Sequence, residues 1–134
     1  MKKAAFTLTE LMIVIVIMGI LSILAIPNYA KSMARSRLQD AMKQLSTLHA
    51  ANQIYRAQNL SDEYLPGTSL NLSQINQGLG INIIANGLTY SYTRNSTNVR
   101  RYSATATDGT HTITLTENIL SSTNPTCTGG SACP

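Results

Sequence analysis

Three hydrophobic patterns follow one another along the chain. From Leu11 to Ile26 there is no periodicity: the run is uncharged and apolar on every side, interrupted only by Gly19 and Ser22. With Phe6 to Thr9 it has about the length, ~20 residues, that crosses a bilayer core as a helix. From Tyr29 the pattern becomes amphipathic. Tyr29, Met33, Ala34, Leu38, Ala41, Met42, Leu45, Leu48, Ala51 and Tyr55 recur at three- and four-residue steps, with Lys31, Arg35, Asp40, Lys43 and Gln44 mostly on the other sides. No Gly or Pro follows Pro27 until Pro66, so the helix is expected to run to about Asn59. A helix over 6–59 would be on the order of 80 Å long. Pro27 lacks an N–H and crowds the carbonyl of Ile23, and Gly19 and Ser22 weaken the same span, which predicts a helix break or a simple bend.

From Leu88 the period changes to two. Leu88, Tyr90 and Tyr92, then Tyr102, Ala104 and Ala106, then Ile113 and Leu115, alternate with Ser and Thr. Three half-buried strands of an antiparallel meander are expected, turning at Asn95 to Asn98 and at Asp108-Gly109. One face covers the helix, and the Thr/Ser face meets water or a neighbouring subunit. The connection, Ser61 to Gly87, is rich in Asn, Gly and Ser. It carries a turn signal at Pro66-Gly67, anchors at Leu70, Leu72 and Ile75, and one helical turn at Ser73 to Gln77. The fold class is α+β, a long N-terminal helical spine packed against a small antiparallel sheet. The expected divisions are a leader at 1–5, a spine at 6–59 with 6–27 as its membrane or bundle segment, and a head at 60–134. Within the head lie a connection at 60–87, a sheet at 88–117 and a cysteine-containing end at 118–134.

One residue does not fit a plain anchor. Glu10 sits near the start of the apolar run, and an acid inside a lipid segment costs a few kcal/mol at mid-bilayer, on the order of 2.5–3.5, and less near an end. It needs a positive partner and is by default a functional position.

The order Phe-Thr-Leu-x-Glu-Leu, the Ile/Val/Leu run containing Gly19, and Ala-Ile-Pro-x-Tyr, all within Phe6 to Tyr29, resembles the N-terminus of type IV pilins and the related pseudopilins. The resemblance implies cleavage by a prepilin peptidase between Ala5 and Phe6, where the family usually has Gly in place of Ala5, followed by N-methylation of Phe6. The new amine and Glu10 lie four residues apart and share a helix face, so they can neutralise each other within one chain. Glu10 also falls in the first turn, where the helix dipole favours an anion. The family implies the other pairing, Glu10 with the Phe6 amine of a neighbouring subunit, setting the register of a growing homo-oligomeric helical filament. It further implies a precursor held in the bacterial inner membrane, handled there by pilus assembly machinery, then a surface filament for adhesion, motility or DNA uptake. In family filaments the helix between the positions matching Gly19 and Pro27 can lose order.

Composition adds limits. Ten Lys and Arg against six Asp and Glu give +4, and loss of Lys2 and Lys3 with the leader leaves +2, weak support for nucleic acid. Lys2 and Lys3 hold the N-terminus in the cytoplasm, while Lys31, Arg35 and Arg37 pull the other way. An ordinary signal peptide fits poorly, since the apolar run is long and no small-x-small site follows it. Cys127 and Cys133 are expected to close a short disulfide loop outside the cytoplasm, contributing roughly 2–2.5 kcal/mol by chain entropy. Many type IV pilins also close a C-terminal disulfide loop.

No catalytic constellation, cofactor motif or metal-ligand spacing is present, and an enzyme is not expected. His49 and His111 read as surface or edge histidines. Major pseudopilins of type II secretion usually carry an acidic C-terminal calcium site, whereas this C-terminus has only Glu117, which favours the pilus subunit. Arg94, Arg100 and Arg101 beside Tyr90, Tyr92 and Tyr102 have the residue types that hold single-stranded DNA. Alternation, however, puts those tyrosines on the buried face and makes the turn a solvated one. The alternatives carried forward are a type II secretion pseudopilin and a minor pilin with a DNA- or surface-binding head.

Overall fold

The computed structural model describes residues 6–117 and 124–133, with the side chains of 24–27 set apart. The expected leader at 1–5 with Ala5, residues 118–123 and 134 of the C-terminal stretch, and the side chain of Pro27 lie outside the described residues. Two compact units divide the chain, Met1–Ala34 and Arg35–Pro134. Helix α1 (Leu8–Gln58) contributes to both. In the first unit its large apolar residues from Phe6 to Ile23 are exposed. In the second its buried positions are Leu38, Ala41, Leu45, Leu48, His49 and Asn52, a stripe at three- and four-residue steps.

The chain leaves α1 at Asn59, whose N–H still reaches the carbonyls of Tyr55 and Arg56, and turns at Asp62 with φ 54°. Asp tolerates that left-handed conformation better than most residues. Tyr64 and Leu65 then bury themselves. Helix α2 (Leu72–Leu79) is longer than the single turn expected at Ser73 to Gln77. Its start is set by a capping box: Asn71 accepts from the N–H of Gln74, and the Gln74 side chain accepts from the N–H of Asn71. Ile75 is its buried anchor, and Gly80, in the left-handed conformation with φ 65°, ends it.

Strands β1 (Thr89–Arg94), β2 (Tyr102–Thr107) and β3 (Thr112–Thr116) form the expected antiparallel meander. A fourth strand, β4 (Thr126–Thr128), was not expected and pairs antiparallel with β3 through Ile113 opposite Cys127. The register sets large residues against small ones: Tyr90 faces Ala106 and Tyr92 faces Ala104, with Ala104 opposite Leu115 and Ala106 opposite Ile113. All of these are buried, while the Ser and Thr between them are half-buried or exposed. The tyrosines therefore fill depth that the alanines leave.

Sheet and helix are tied by hydroxyls at the ends of those tyrosines. Tyr90 donates to Gln44 Oε1, Tyr92 donates to the carbonyl of Leu65 while accepting from Asn52 Nδ2, and Asn52 Oδ1 accepts from the N–H of Leu65. Tyr102 lies between Tyr92, stacked at 5.2 Å, and Tyr64, edge-on at 4.8 Å. Its hydroxyl meets His49 Nδ1. The expectation that His49 is a surface or edge histidine is thus overturned: it is 4% exposed, on the buried stripe of α1. Burial lowers its pKa and raises that of Tyr90 and Tyr92 to about 12, because each charged form loses water.

Both sheet edges are occupied or short. Along β1, Leu70 forms an isolated bridge with Tyr92, exchanging both backbone hydrogen bonds, and Arg94 donates to the carbonyl of Gly67. At the other edge β4 has three residues, and a disulfide joins its middle residue, Cys127, to Cys133.

Candidate assembly interface

The first unit presents what a soluble fold hides. Its thirteen large apolar residues from Phe6 to Ile23 are exposed by 45% (Val14) to 84% (Phe6). Gly19 has no atom within 4 Å of where a side chain would start, so its surface is open to a close-approaching partner. Polar side chains in this stretch are satisfied locally, Ser22 by donating to the carbonyl of Met18. Among the described residues no single helix is long and apolar enough to cross a membrane. Leu8–Ile23 and Asn28–Gln58 taken together meet the length and composition of a span.

At its N-terminal end the helix is closed by a capping box absent from the sequence reading. Thr7 is the N-cap: its Oγ1 accepts from the N–H of Glu10, and Glu10 Oε2 accepts from the N–H and the hydroxyl of Thr7 at 2.8 Å each. Thr7-x-x-Glu10 was the legible signal. Phe6 stands just before the cap and Leu11 at the fourth helical position, the places of a hydrophobic staple. Phe6, Glu10, Leu11 and Val14 line one shallow apolar groove. Phe6 and Glu10 are therefore brought together, and one carboxylate oxygen, Oε1, is left without a hydrogen bond among the described residues.

The remaining candidates lie elsewhere. Cys127 and Cys133 are bonded to each other. The turn of arginines is neutralised within the head: Arg94 pairs with Glu63, Arg100 with Asp62 and Arg101 with Glu117. Tyr90, Tyr92 and Tyr102 beside them are buried, as alternation requires. His111 directly precedes β3 and meets Asp108, whose carboxyl is held at about 2 chiefly by the backbone N–H groups of His111 and Thr110.

A family model described as the prokaryotic N-terminal methylation motif matches residues 1–26. The chain is 44% identical over 54 residues to the type IV major pilin protein PilA of Myxococcus xanthus, covering 40% of this chain and 24% of that protein. It is 32% identical over 74 residues to the type II secretion system core protein G of Escherichia coli, covering 55% and 49%. A fimbrial protein of Pseudomonas aeruginosa is 48% identical over 49 residues, covering 37% and 32%. The chain thus spans less than half the length of these curated relatives. No solved structure matches it. The resemblance to type IV pilins and pseudopilins carried by Phe6 to Tyr29 stands, on an α+β fold of helix and four-stranded sheet.

Proposed function

We propose, taking that resemblance as the premise, that this chain is a structural subunit of a bacterial type IV pilus and not an enzyme. It is held as a precursor in the inner membrane, cut between Ala5 and Phe6, N-methylated at Phe6 and polymerised through its N-terminal helix. The observation that carries the reading is the apolar surface of Phe6–Ile23, which no described residue covers. Exposed apolar area contributes about 25 cal/mol per Å² once removed from water, so such a surface calls for lipid or for copies of itself. Glu10 supports the same reading. Thr7 satisfies one carboxylate oxygen, and the other is available to the Phe6 amine of a neighbouring copy. An unpaired charge between packed helices is penalised by several kcal/mol, on the order of 3–5, so that pair sets the axial register. Gly19 and Pro27 are the positions where the helix yields as copies pack, and the prepilin peptidase and the inner-membrane assembly machinery are the implied partners.

The test is intact-mass and N-terminal analysis of material sheared from the cell surface. The expected species starts at N-methylated Phe6, with a mass two hydrogens below the reduced chain for the Cys127–Cys133 bond. A chain still starting at Met1 and found only in membranes would overturn the reading. The second reading, a pseudopilin of type II secretion, draws on the longer match to the Escherichia coli protein. Deleting the gene separates them: loss of surface filaments with secretion intact favours the pilus, and the reverse favours the pseudopilus. A DNA-binding tip pilin is less supported, because the arginines it would use already meet carboxylates.

A further inference from the structure

Charge is distributed unevenly along this chain. Beyond residue 50 every arginine meets an acid: Arg56 and Arg100 share Asp62, Arg94 takes Glu63 and Arg101 takes Glu117. Asp108 is engaged by His111, and Glu10 by Thr7. Lys31, Arg35, Arg37 and Lys43 behave in the opposite way. All four are exposed, and none lies within ion-pair distance of a carboxylate among the described residues. Asp40 stands among them, but its Oδ2 accepts from the amides of Gln44 and Asn86 instead. Arg37, Lys43, Asp40 and Asn86 line one polar groove of about 440 Å³ in the second unit.

We propose that Arg35 and Arg37 dock on an anionic lipid headgroup surface while the chain is held in the membrane. The inference rests on the membrane-held precursor of the proposed function. Chain continuity supports it. Arg35 and Arg37 follow the end of the apolar run at Ile26 by nine and eleven residues, a helix rise on the order of 14–17 Å. An extended arginine or lysine and a Debye length of about 8–10 Å reach a headgroup layer from there. Charge complementarity points the same way. A second copy offers these cations no acid, because its carboxylates are engaged within its own head, sit in the apolar segment at Glu10, or belong to the same patch at Asp40. Phosphate suits the two guanidinium groups, which bind it bidentately.

The full chain is reconstituted in phosphatidylcholine vesicles doped with spin-labelled phosphatidylglycerol, and compared with the same vesicles carrying spin-labelled phosphatidylcholine. Motionally restricted label reports lipid held by the protein. The expected result is selectivity for phosphatidylglycerol that falls with added NaCl. It falls by about fivefold for each cation removed in Arg35→Gln and Arg37→Gln, and is unchanged in Lys43→Gln, which lies beyond reach of the headgroups. Unchanged selectivity in the double variant would overturn the proposal and assign the effect to Lys2, Lys3 and Lys31. So would competition by inorganic phosphate beyond that of chloride at matched ionic strength, which marks a free-anion pocket. Displacement of the lipid by duplex DNA would overturn it in favour of a nucleic-acid face. A chain that incorporates without selectivity defeats this inference alone, whereas one that does not incorporate defeats the membrane reading as well.

Discussion

The two units of this chain solve opposite problems with one helix. In the Arg35–Pro134 unit, α1 hides its apolar stripe under the sheet, and the polar groups in the way, Asn52 and His49, are met by tyrosine hydroxyls. In the Met1–Ala34 unit the same helix leaves every large side chain from Phe6 to Ile23 at the surface. One half is self-sufficient and the other is unfinished. A residue's contribution therefore depends on where its neighbours are: in the head they belong to the same chain, and in the N-terminal unit no described residue supplies them.

The sharpest break of that contrast is Glu10→Gln. It leaves the helix cap nearly intact but strands the neighbour's amine, so the proposed filament yield falls more than about a hundredfold, in line with the ~3–5 kcal/mol of a broken buried pair. Quantifying sheared material against the membrane-held precursor checks it, and an unchanged yield defeats the intersubunit pairing. Next comes a matched truncation. Ile113→Ala, in the fully buried core, is expected to cost the head about 2–5 kcal/mol by transfer and cavity terms, whereas Ile17→Ala leaves head stability within about 0.5 kcal/mol. Urea unfolding of the detergent-solubilised chain, followed by tyrosine signals, separates the two; equal losses would erase the distinction between the units.

A smaller effect is expected at Asn52→Ala, about 1–3 kcal/mol, because the N–H of Leu65 is left buried and unpaired. The same urea unfolding checks it, and a loss under about 0.5 kcal/mol would show that this hydrogen bond contributes little. The smallest is a pH effect. The folded pKa of His49 lies below the unfolded value of about 6.5, so the unfolded chain binds the proton first. Head stability is full above that value and declines as pH falls through it toward the folded pKa. The Asp108 carboxyl adds a separate loss further down, from its unfolded value near 3.8 to about 2. His49→Gln should remove the upper step of a stability–pH curve and leave the lower; an unaltered upper step would mean that another group titrates there.

The readable parts of this fold are those where side-chain period alone decides the element. The apolar run, the stripe of Leu38, Ala41, Leu45 and Leu48, and the alternation of Tyr90, Tyr92, Tyr102, Ala104, Ala106, Ile113 and Leu115 needed no tertiary context. Strand β4 did. Thr126-Cys127-Thr128 is too short for a pattern and becomes a strand only because the edge of β3 offers hydrogen bonds. His49 was misread because imidazole polarity argues for water, while its stripe position, one residue past Leu48, argued for burial. Tyr102, far away in sequence, decided the matter. At the candidate assembly site, the nearness of Phe6 and Glu10 was legible from their spacing. The role of Thr7 was written in Thr7-x-x-Glu10 and went unread, because an acid in an apolar run draws attention to distant cations before nearby hydroxyls.

The two ends of the sheet decide how heads behave in a crowd. A bare strand edge is a template on which another sheet can grow, and a filament would hold its heads side by side at very high local concentration. Here Leu70 and Gly67 already occupy the hydrogen-bonding positions along β1. On the far side β4 offers only three residues before the Cys127–Cys133 ring turns the chain away. Neither rim leaves a long ladder to extend. Heads brought together in the proposed filament can then touch without knitting their backbones together, and its subunits stay separable.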